Sequence, residues 1–508
     1  MKFGLLGRKL GHSYSPMIFD LMGGYRYDLF EREPEGIEDL LRNTDFDGIN
    51  VTIPYKKEVL QYLDEIDPLA LRLGAVNTIV KRNGKLFGYN SDYYGFRSMV
   101  LRTRIDIQDK KVLVLGSGGA SVTVRAVLED LGAKVVVISR TGENNYGNLS
   151  LHRDASMIVN TTPLGMYPNN GASALELSNF PELEGVLDLI YNPARTQLLL
   201  DCEKYGIPGF NGLWMLVAQA KQSAEWFLDT QLPDSLVSQI HRKLRDKMEN
   251  IALIGMAGCG KSTIGRNLAK ETGKKFVDAD TEIELLAGKT IPEIFAQDGE
   301  EEFRRLETEV LTALGKQSGL VIATGGGCVT RERNYPLLHQ NSRIIWLKRC
   351  PTRLPTEGRP LSQKTSPVEL YELRKPLYKA FGDAAVDNEG IAAILHLCGH
   401  AHPGKQMTGG IQPVAFLDAQ PSDSVQHGGA GNGGAGQGDN GRDIRDVVAV
   451  DMDGTQPSFG THRPEQPVLF LDLRAHGAQH VHDLRIPLSA NLFADQVFHP
   501  DRLTHGSG

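Results

Sequence analysis

The stretch "LIGMAGCGKSTIG", residues 253–265, decides how the chain is read. Gly255 to Ser262 satisfy G-x-x-x-x-G-K-[ST], with the apolar run "NIALI" before them and the helix-period segment "TIGRNLAKETG" after them. A strand, a glycine turn and a helix in that order aim backbone N–H groups at nucleotide phosphates, while the lysine and the hydroxyl serve their charge and their metal. The motif predicts ATP held by Gly258, Cys259, Gly260, Lys261, Ser262 and Thr263. It also predicts Mg2+ on Ser262, with Asp278 reaching the ion directly or through water.

Working outward, a second glycine turn, "VLVLGSGGAS" at 112–121, closes an earlier strand. Gly116, Ser117, Gly118, Gly119 and Ala120 would let backbone amides and a helix N-terminus meet a pyrophosphate. The same turn also occurs in strand-to-helix connections that bind nothing. The following strand ends in "VVVISRT", where an acidic residue would favour NAD; Arg140 instead suits a 2′-phosphate, so the site reads as one for NADPH.

Around these loops the chain reads as α/β. Apolar runs of strand length ("VLVLG", "KVVVIS", "MIVNTT", "GVLDLIY") alternate with helix-period segments, the rhythm of a parallel sheet. A new series of the same kind begins at "NIALIG" and runs through "KKFVDAD", "GLVIATGGG" and "RIIWLK". The expected domains are a substrate-binding unit at 1–98 completed by helices at 213–235, a Rossmann-like unit at 99–212, a linker at 236–249 and a P-loop unit at 250–400. Residues 401–508 are expected to be a disordered tail rich in Gly, His and Asp; from 407 onward it holds six Arg, eleven Asp, one Glu and no Lys.

At 508 residues the chain exceeds one hydrophobic core, and its formal charge of −7 offers no basic footprint for nucleic acid. The five cysteines form no C-x-x-C pair, and no run reaches the ~18 apolar residues of a membrane span. A cytoplasmic enzyme with small-molecule partners, and without membrane or nucleic-acid partners, is the reading these features leave.

The blocks "GHSYSP", "NVTIPYKK", "GAVNTI", "GYNSDYYGF", "LGSGGAS", "IVNTTPLGM", "DLIYNP" and "NGLWMLVAQA" follow one another in an order that resembles shikimate dehydrogenase over residues 1 to about 228. That resemblance implies NADPH-dependent reduction of 3-dehydroshikimate to shikimate. It assigns the substrate carboxylate to Ser13 and Ser15, the ring hydroxyls to Thr52, Asn77, Tyr191 and Gln219, and the cofactor to Ser139, Arg140, Thr141, Leu189 and Gly212. Lys56 and Asp92 would carry the chemistry: hydride delivery to a ketone leaves an alkoxide, which needs a proton donor and a partner to orient it. The connection "GENNYGNLSLHRDAS" is short for that family and is expected to trim the outer edge of the dinucleotide unit.

In the second half "FVDAD", "EEFRRLE", "ATGGGCV", "EGRPLS" and "LRKPLY" resemble shikimate kinase over about 250–395. The resemblance implies ATP-dependent phosphorylation of shikimate to shikimate 3-phosphate. Asp280 would contact the acceptor hydroxyls, Arg304 and Arg374 the carboxylate, Gly326 within the run Gly325–Gly327 the ring, and Arg359 would be the lid arginine. Planar guanidinium groups are the natural grip for a carboxylate. Arg305 has helical ion-pair spacing and reads as solvated, and the shortened lid leaves the arginine expected near adenine unplaced.

The two activities are consecutive, so the chain reads as a bifunctional enzyme of chorismate and aromatic amino acid biosynthesis. Two other readings stand beside it: a catalytically silent regulator that senses shikimate or quinate, and an NAD-linked quinate/shikimate dehydrogenase fused to a kinase.

Overall fold

The apolar runs build three sheets, each covered by helices. The computed structural model describes residues 1–11, 13–355, 365–388 and 394–395. Arg359 and the residues expected to form the tail lie outside the described residues.

The first sheet runs in the order Arg26–Glu31, Lys2–Gly7, Gly48–Val51, Thr78–Arg82, Lys85–Tyr89, Glu65–Ile66. Lys2–Gly7 is parallel to both neighbours, whereas Thr78–Arg82 is antiparallel to Gly48–Val51. All four residues of "GINV" are buried, as a strand covered on both faces requires. One cover is the helix Leu213–Leu228, whose Val217, Ala224 and Phe227 join Phe3 and Phe19 in one core. Phe3 and Phe227 stack with ring centroids 4.8 Å apart. The same helix packs along Ser91–Thr103, so a late segment of chain closes the early unit.

The second sheet is parallel throughout, in the order Gly209–Asn211, Gly185–Asp188, Met157–Asn160, Lys111–Leu115, Lys134–Ile138. Helix Gly119–Asp130 buries Val124, Val127 and Leu128 against the sheet, and Leu131 stands at its end, half-buried. Between the edge strand Lys134–Ile138 and Met157–Asn160 there is only the 3-10 turn Leu149–His152, the thinning that the short connection predicted.

The third sheet is again parallel: Lys275–Asp278, Leu320–Ala323, Asn250–Ile254, Ser342–Lys348, Ala384–Asp387. Two helices, Leu213–Leu228 and Ser235–Met248, lead into it. A polar joint ties it to the second sheet's unit. Arg195 N donates to Gln340 O at 2.8 Å, Ala194 N to Asn341 Oδ1 at 2.8 Å, and His339 Nε2 meets Glu203 Oε2 at 2.8 Å. These contacts sit just before Ser342–Lys348, at the N-terminal edge of the third sheet. Both glycine loops leave the C-terminal ends of their strands, the edge where parallel sheets bind ligands. No helix among the described residues is long and apolar enough to cross a membrane.

Candidate active sites

In the N-terminal half, strand ends and two helices converge on a cavity of about 230 Å3. Lys56 comes from the turn after Gly48–Val51, and Asp92 from the first turn of Ser91–Thr103. Asn90 rather than Asp92 caps that helix, accepting from Tyr93 N at 3.3 Å, which frees the Asp92 carboxylate for Lys56. Lys56 Nζ lies 2.6 Å from Asp92 Oδ2, with the two side chains 29% and 20% exposed. The pair is reachable from solvent but largely shielded by protein.

Ser13, Ser15, Thr52, Asn77, Tyr191 and Gln219 all line the same cavity. Leu189 and Gly212, expected on the cofactor, line it too. A buried polar floor fixes Asn77: its Nδ2 donates to Ser91 Oγ at 3.0 Å and its Oδ1 accepts from Ser91 N at 2.7 Å. Ser91 Oγ in turn donates to Gln219 Oε1 at 3.1 Å, linking the early helix to the late one. Asn50, Thr78 and Ser223 extend this floor and were not singled out in the sequence; "GINV" reads as strand, and only burial of its asparagine marks it. Burial pushes the Tyr191 hydroxyl above its ordinary range.

The dinucleotide loop stands open. Gly116 has φ +102, and a Cβ there would lie 2.9 Å from Thr162 Cγ2, so both conformation and space demand glycine. Gly118 and Gly119, by contrast, face open space beside the start of helix Gly119–Asp130. Ser117, Ala120, Arg140 and Thr141 are exposed, and Ser139 Oγ donates to Thr141 O at 3.0 Å, shaping the turn that carries Arg140. The exposed residues 117–120 and the exposed Arg140 follow the paired strand ends Leu115 and Ile138.

The second cavity, about 530 Å3, lies at the C-terminal ends of Asn250–Ile254, Lys275–Asp278 and Leu320–Ala323. Gly258, Gly260, Lys261, Ser262 and Thr263 line it, while the Cys259 side chain is buried in the core behind the loop. Lys261 Nζ folds onto the loop, donating to Gly255 O at 2.9 Å and Met256 O at 3.0 Å. Ser262 Oγ donates to Asp278 Oδ2 at 2.6 Å. The two oxygens predicted to face a metal are thus adjacent, and an all-oxygen set suits a hard cation that keeps waters and phosphate oxygens as its other ligands.

Across the cavity, Asp280 Oδ1 is buried without a hydrogen-bond partner among the described residues. Burial pushes this carboxyl above the usual carboxylate range, with Lys261 pulling against the shift. Arg304 is 3% exposed and held by Glu307 at 2.8 Å and Glu300 at 3.2 Å. Arg305, its neighbour, is the solvated one, paired with Glu302 and Glu309 on the outside. Arg374 Nη1 donates to Gly326 O at 3.2 Å, and Tyr378 Oη donates to the same carbonyl.

The glycine run is required by these neighbours. A Cβ on Gly327 would lie 2.3 Å from Arg304 Nη2, and one on Gly325 2.7 Å from Glu307 Oε1. Glu307 escaped the sequence reading because its spacing from Arg304 repeats that of the solvated pair Glu302–Arg305. Burial pushes its pKa up, Arg304 opposing.

Residues 257–395 match the family model described as shikimate kinase, and residues 5–79 match that described as shikimate dehydrogenase substrate binding domain. The shikimate dehydrogenase (NADP(+)) of Clostridium perfringens strain SM101 is 36% identical over 265 residues, 48% of this chain and 98% of that protein. Its counterpart in Methanococcus maripaludis is 36% identical over 252 residues, 44% of this chain and 90% of the relative. A solved chorismate mutase/shikimate 5-dehydrogenase fusion protein from Clostridium acetobutylicum is 36% identical over 48% of this chain and 97% of its own, with a TM-score of 0.47.

Proposed function

The chain belongs to the shikimate dehydrogenase family and carries a shikimate kinase domain behind it, and from that premise we propose which residues perform each step and what they hold. It is a bifunctional enzyme of the shikimate pathway: NADPH-dependent reduction of 3-dehydroshikimate to shikimate, then ATP-dependent phosphorylation of shikimate. The substrate-binding unit at 1–98 with helices 213–235, the dinucleotide unit at 99–212 and the kinase unit at 250–400 divide the labour.

In the first step Gly116 to Ala120 would hold the dinucleotide, which would supply hydride to the ketone carbon. Lys56 gives a proton to the carbonyl oxygen as charge develops there, and Asp92 holds the ammonium in line; such help is worth ~10² to 10⁴ in rate. Ser13 and Ser15 bind the carboxylate, while Thr52, Asn77, Tyr191 and Gln219 orient the ring. The 2.6 Å contact of Lys56 with Asp92, inside a cavity otherwise lined by hydroxyls, amides and apolar groups, is the observation that carries this reading. Gly116 to Ala120 take the pyrophosphate, and Arg140 the 2′-phosphate.

In the second step Asp280 accepts a hydrogen bond from the attacking hydroxyl and aligns it. Arg304 and Arg374 clamp the carboxylate, and Lys261 with Arg359 meets the charge of the transferring phosphoryl group. Ser262 with Asp278 would hold Mg2+, which would supply neutralising charge for the nucleotide phosphates. A cytoplasmic site of action fits NADPH and ATP as cosubstrates.

The test is turnover of 3-dehydroshikimate with NADPH, and separately of added shikimate with ATP, by the whole chain and by Lys56→Ala and Lys261→Ala. Each variant should lose one step and keep the other. Silence of the unsubstituted chain in both steps would favour the sensing regulator instead. EDTA should stop phosphorylation and spare reduction; loss of both would refute the assignment of the metal to the kinase half alone.

A further inference from the structure

We propose that Arg349 is a nucleotide-positioning residue of the kinase half, gripping a phosphate of ATP from the outer shoulder of the glycine loop. The inference rests on the reading of the larger cavity as the ATP site.

Arg349 directly follows the strand Ser342–Lys348, whose register pairs Trp346 with Ile254. The strand therefore runs out beside the start of the glycine loop. There Arg349 Nη1 donates to Gly258 O at 3.1 Å, and the side chain is exposed along the cavity wall. A guanidinium has five N–H donors; this contact uses one and leaves the fork available to an anion.

The other arginines lining this cavity are committed elsewhere. Arg304 is tied to Glu300 and Glu307, and Arg374 donates to Gly326 O, both on the side of Asp280 and the second glycine run. On the loop side the described cations are Lys261 and Arg349. Among the described residues no carboxylate forms an ion pair with Arg349, in contrast to Arg305 and Arg331. The loop has other braces besides Arg349. Asn388 Nδ2 donates to the carbonyl of Cys259, and Lys261 to those of Gly255 and Met256. A cation that shares the bracing of the loop with other residues and keeps donors spare, set where triphosphate charge must be met, is placed to bind it.

The experiment measures KM for ATP and for shikimate in Arg349→Ala, Arg349→Lys and Arg349→Gln, with reduction of 3-dehydroshikimate as the internal check on folding. Loss of a charge-assisted hydrogen bond should raise KM for ATP about tenfold or more in the Ala and Gln variants. KM for shikimate and the reductase rate should stay put, and Lys should recover part of the loss. Gln can still donate to Gly258 O, so recovery by Gln would reduce Arg349 to a loop prop and overturn the proposal. So would an unchanged KM for ATP in Arg349→Ala, or equal rises in both KM values. An unsubstituted chain without ATP-dependent phosphorylation would overturn the underlying reading and this inference with it.

Discussion

Lys56 Nζ and Asp92 Oδ2 stand 2.6 Å apart although the two residues belong to different elements, a turn after a strand and the first turn of a helix. The helix start favours a carboxylate there, and the carboxylate in turn holds the ammonium in place. Replacement of Lys56 by Ala should lower the reductase kcat by ~10² to 10⁴. Asp92→Asn, which keeps the shape and removes the charge, should lower it less. Steady-state reduction of 3-dehydroshikimate measures both, with unchanged ATP-dependent phosphorylation as the control; a Lys56→Ala enzyme of near-normal kcat would remove the proton donor from the mechanism.

Gly327 offers a sharper probe of the kinase half. A methyl group there would sit 2.3 Å from Arg304 Nη2, and Arg304 cannot swing freely because Glu307 and Glu300 hold it. Gly327→Ala should therefore displace the guanidinium and raise KM for shikimate about tenfold, the scale of one charge-assisted hydrogen bond. KM for ATP should hardly move. A variant in which the two rise together would mean that Arg304 does not touch the carboxylate.

Acid sensitivity should trace in part to His241. Its ring lies 5.4 Å from that of Trp214, over which the Arg102 guanidinium stacks at 4.1 Å. Burial, with Arg102 and Arg245 adding repulsion, lowers its pKa to about 3 from an ordinary 6.5. A depressed folded-state pKa means that this contribution to stability is full above about 6.5 and is lost as pH falls from there toward 3. At pH 5 the loss is about 1 to 2 kcal/mol. Denaturant melts at pH 7 and pH 5 should show it, and His241→Gln, which cannot titrate, should flatten the slope between them. An equal slope in the variant would clear His241.

What could be read from the chain alone followed the range of the interactions. Lys261 and Ser262 lie within one contiguous motif whose geometry is local, so the loop and its flanking strand and helix were legible. Lys56 and Asp92 meet only through the fold, and their partnership was readable through family blocks rather than spacing. Glu307 looked like one more surface carboxylate, since helical spacing from an arginine is the same whether the pair faces solvent or a cavity. Arg349, in "LKRCPT", carries no pattern at all; only the strand register that runs it beside Gly258 gives it meaning. The joint of Glu203 with His339 links segments far apart in the chain, and no periodicity could announce it.

That joint also bears on how the intermediate travels. Arg195, Ala194 and Glu203 grip residues 339–341, before the strand Ser342–Lys348, and Asn250 N donates to Asn341 O at the same edge. The kinase cavity opens at the other ends of these strands, beyond Ile254 and Ala323. A five-residue strand spans about 15 Å of packed core, and Ile251, Leu253, Val321 and Ile345 fill it. Tyr191 borders both the first cavity and the crevice at Asn341; if shikimate leaves on that side, the packed core lies between it and the kinase cavity, and transfer through solvent is the expected outcome. Labelled 3-dehydroshikimate turned over with NADPH and ATP in the presence of unlabelled shikimate should then give shikimate 3-phosphate at the specific activity of the fully mixed pool. Retention of label above that value would show direct transfer and would require the two halves to meet differently during turnover.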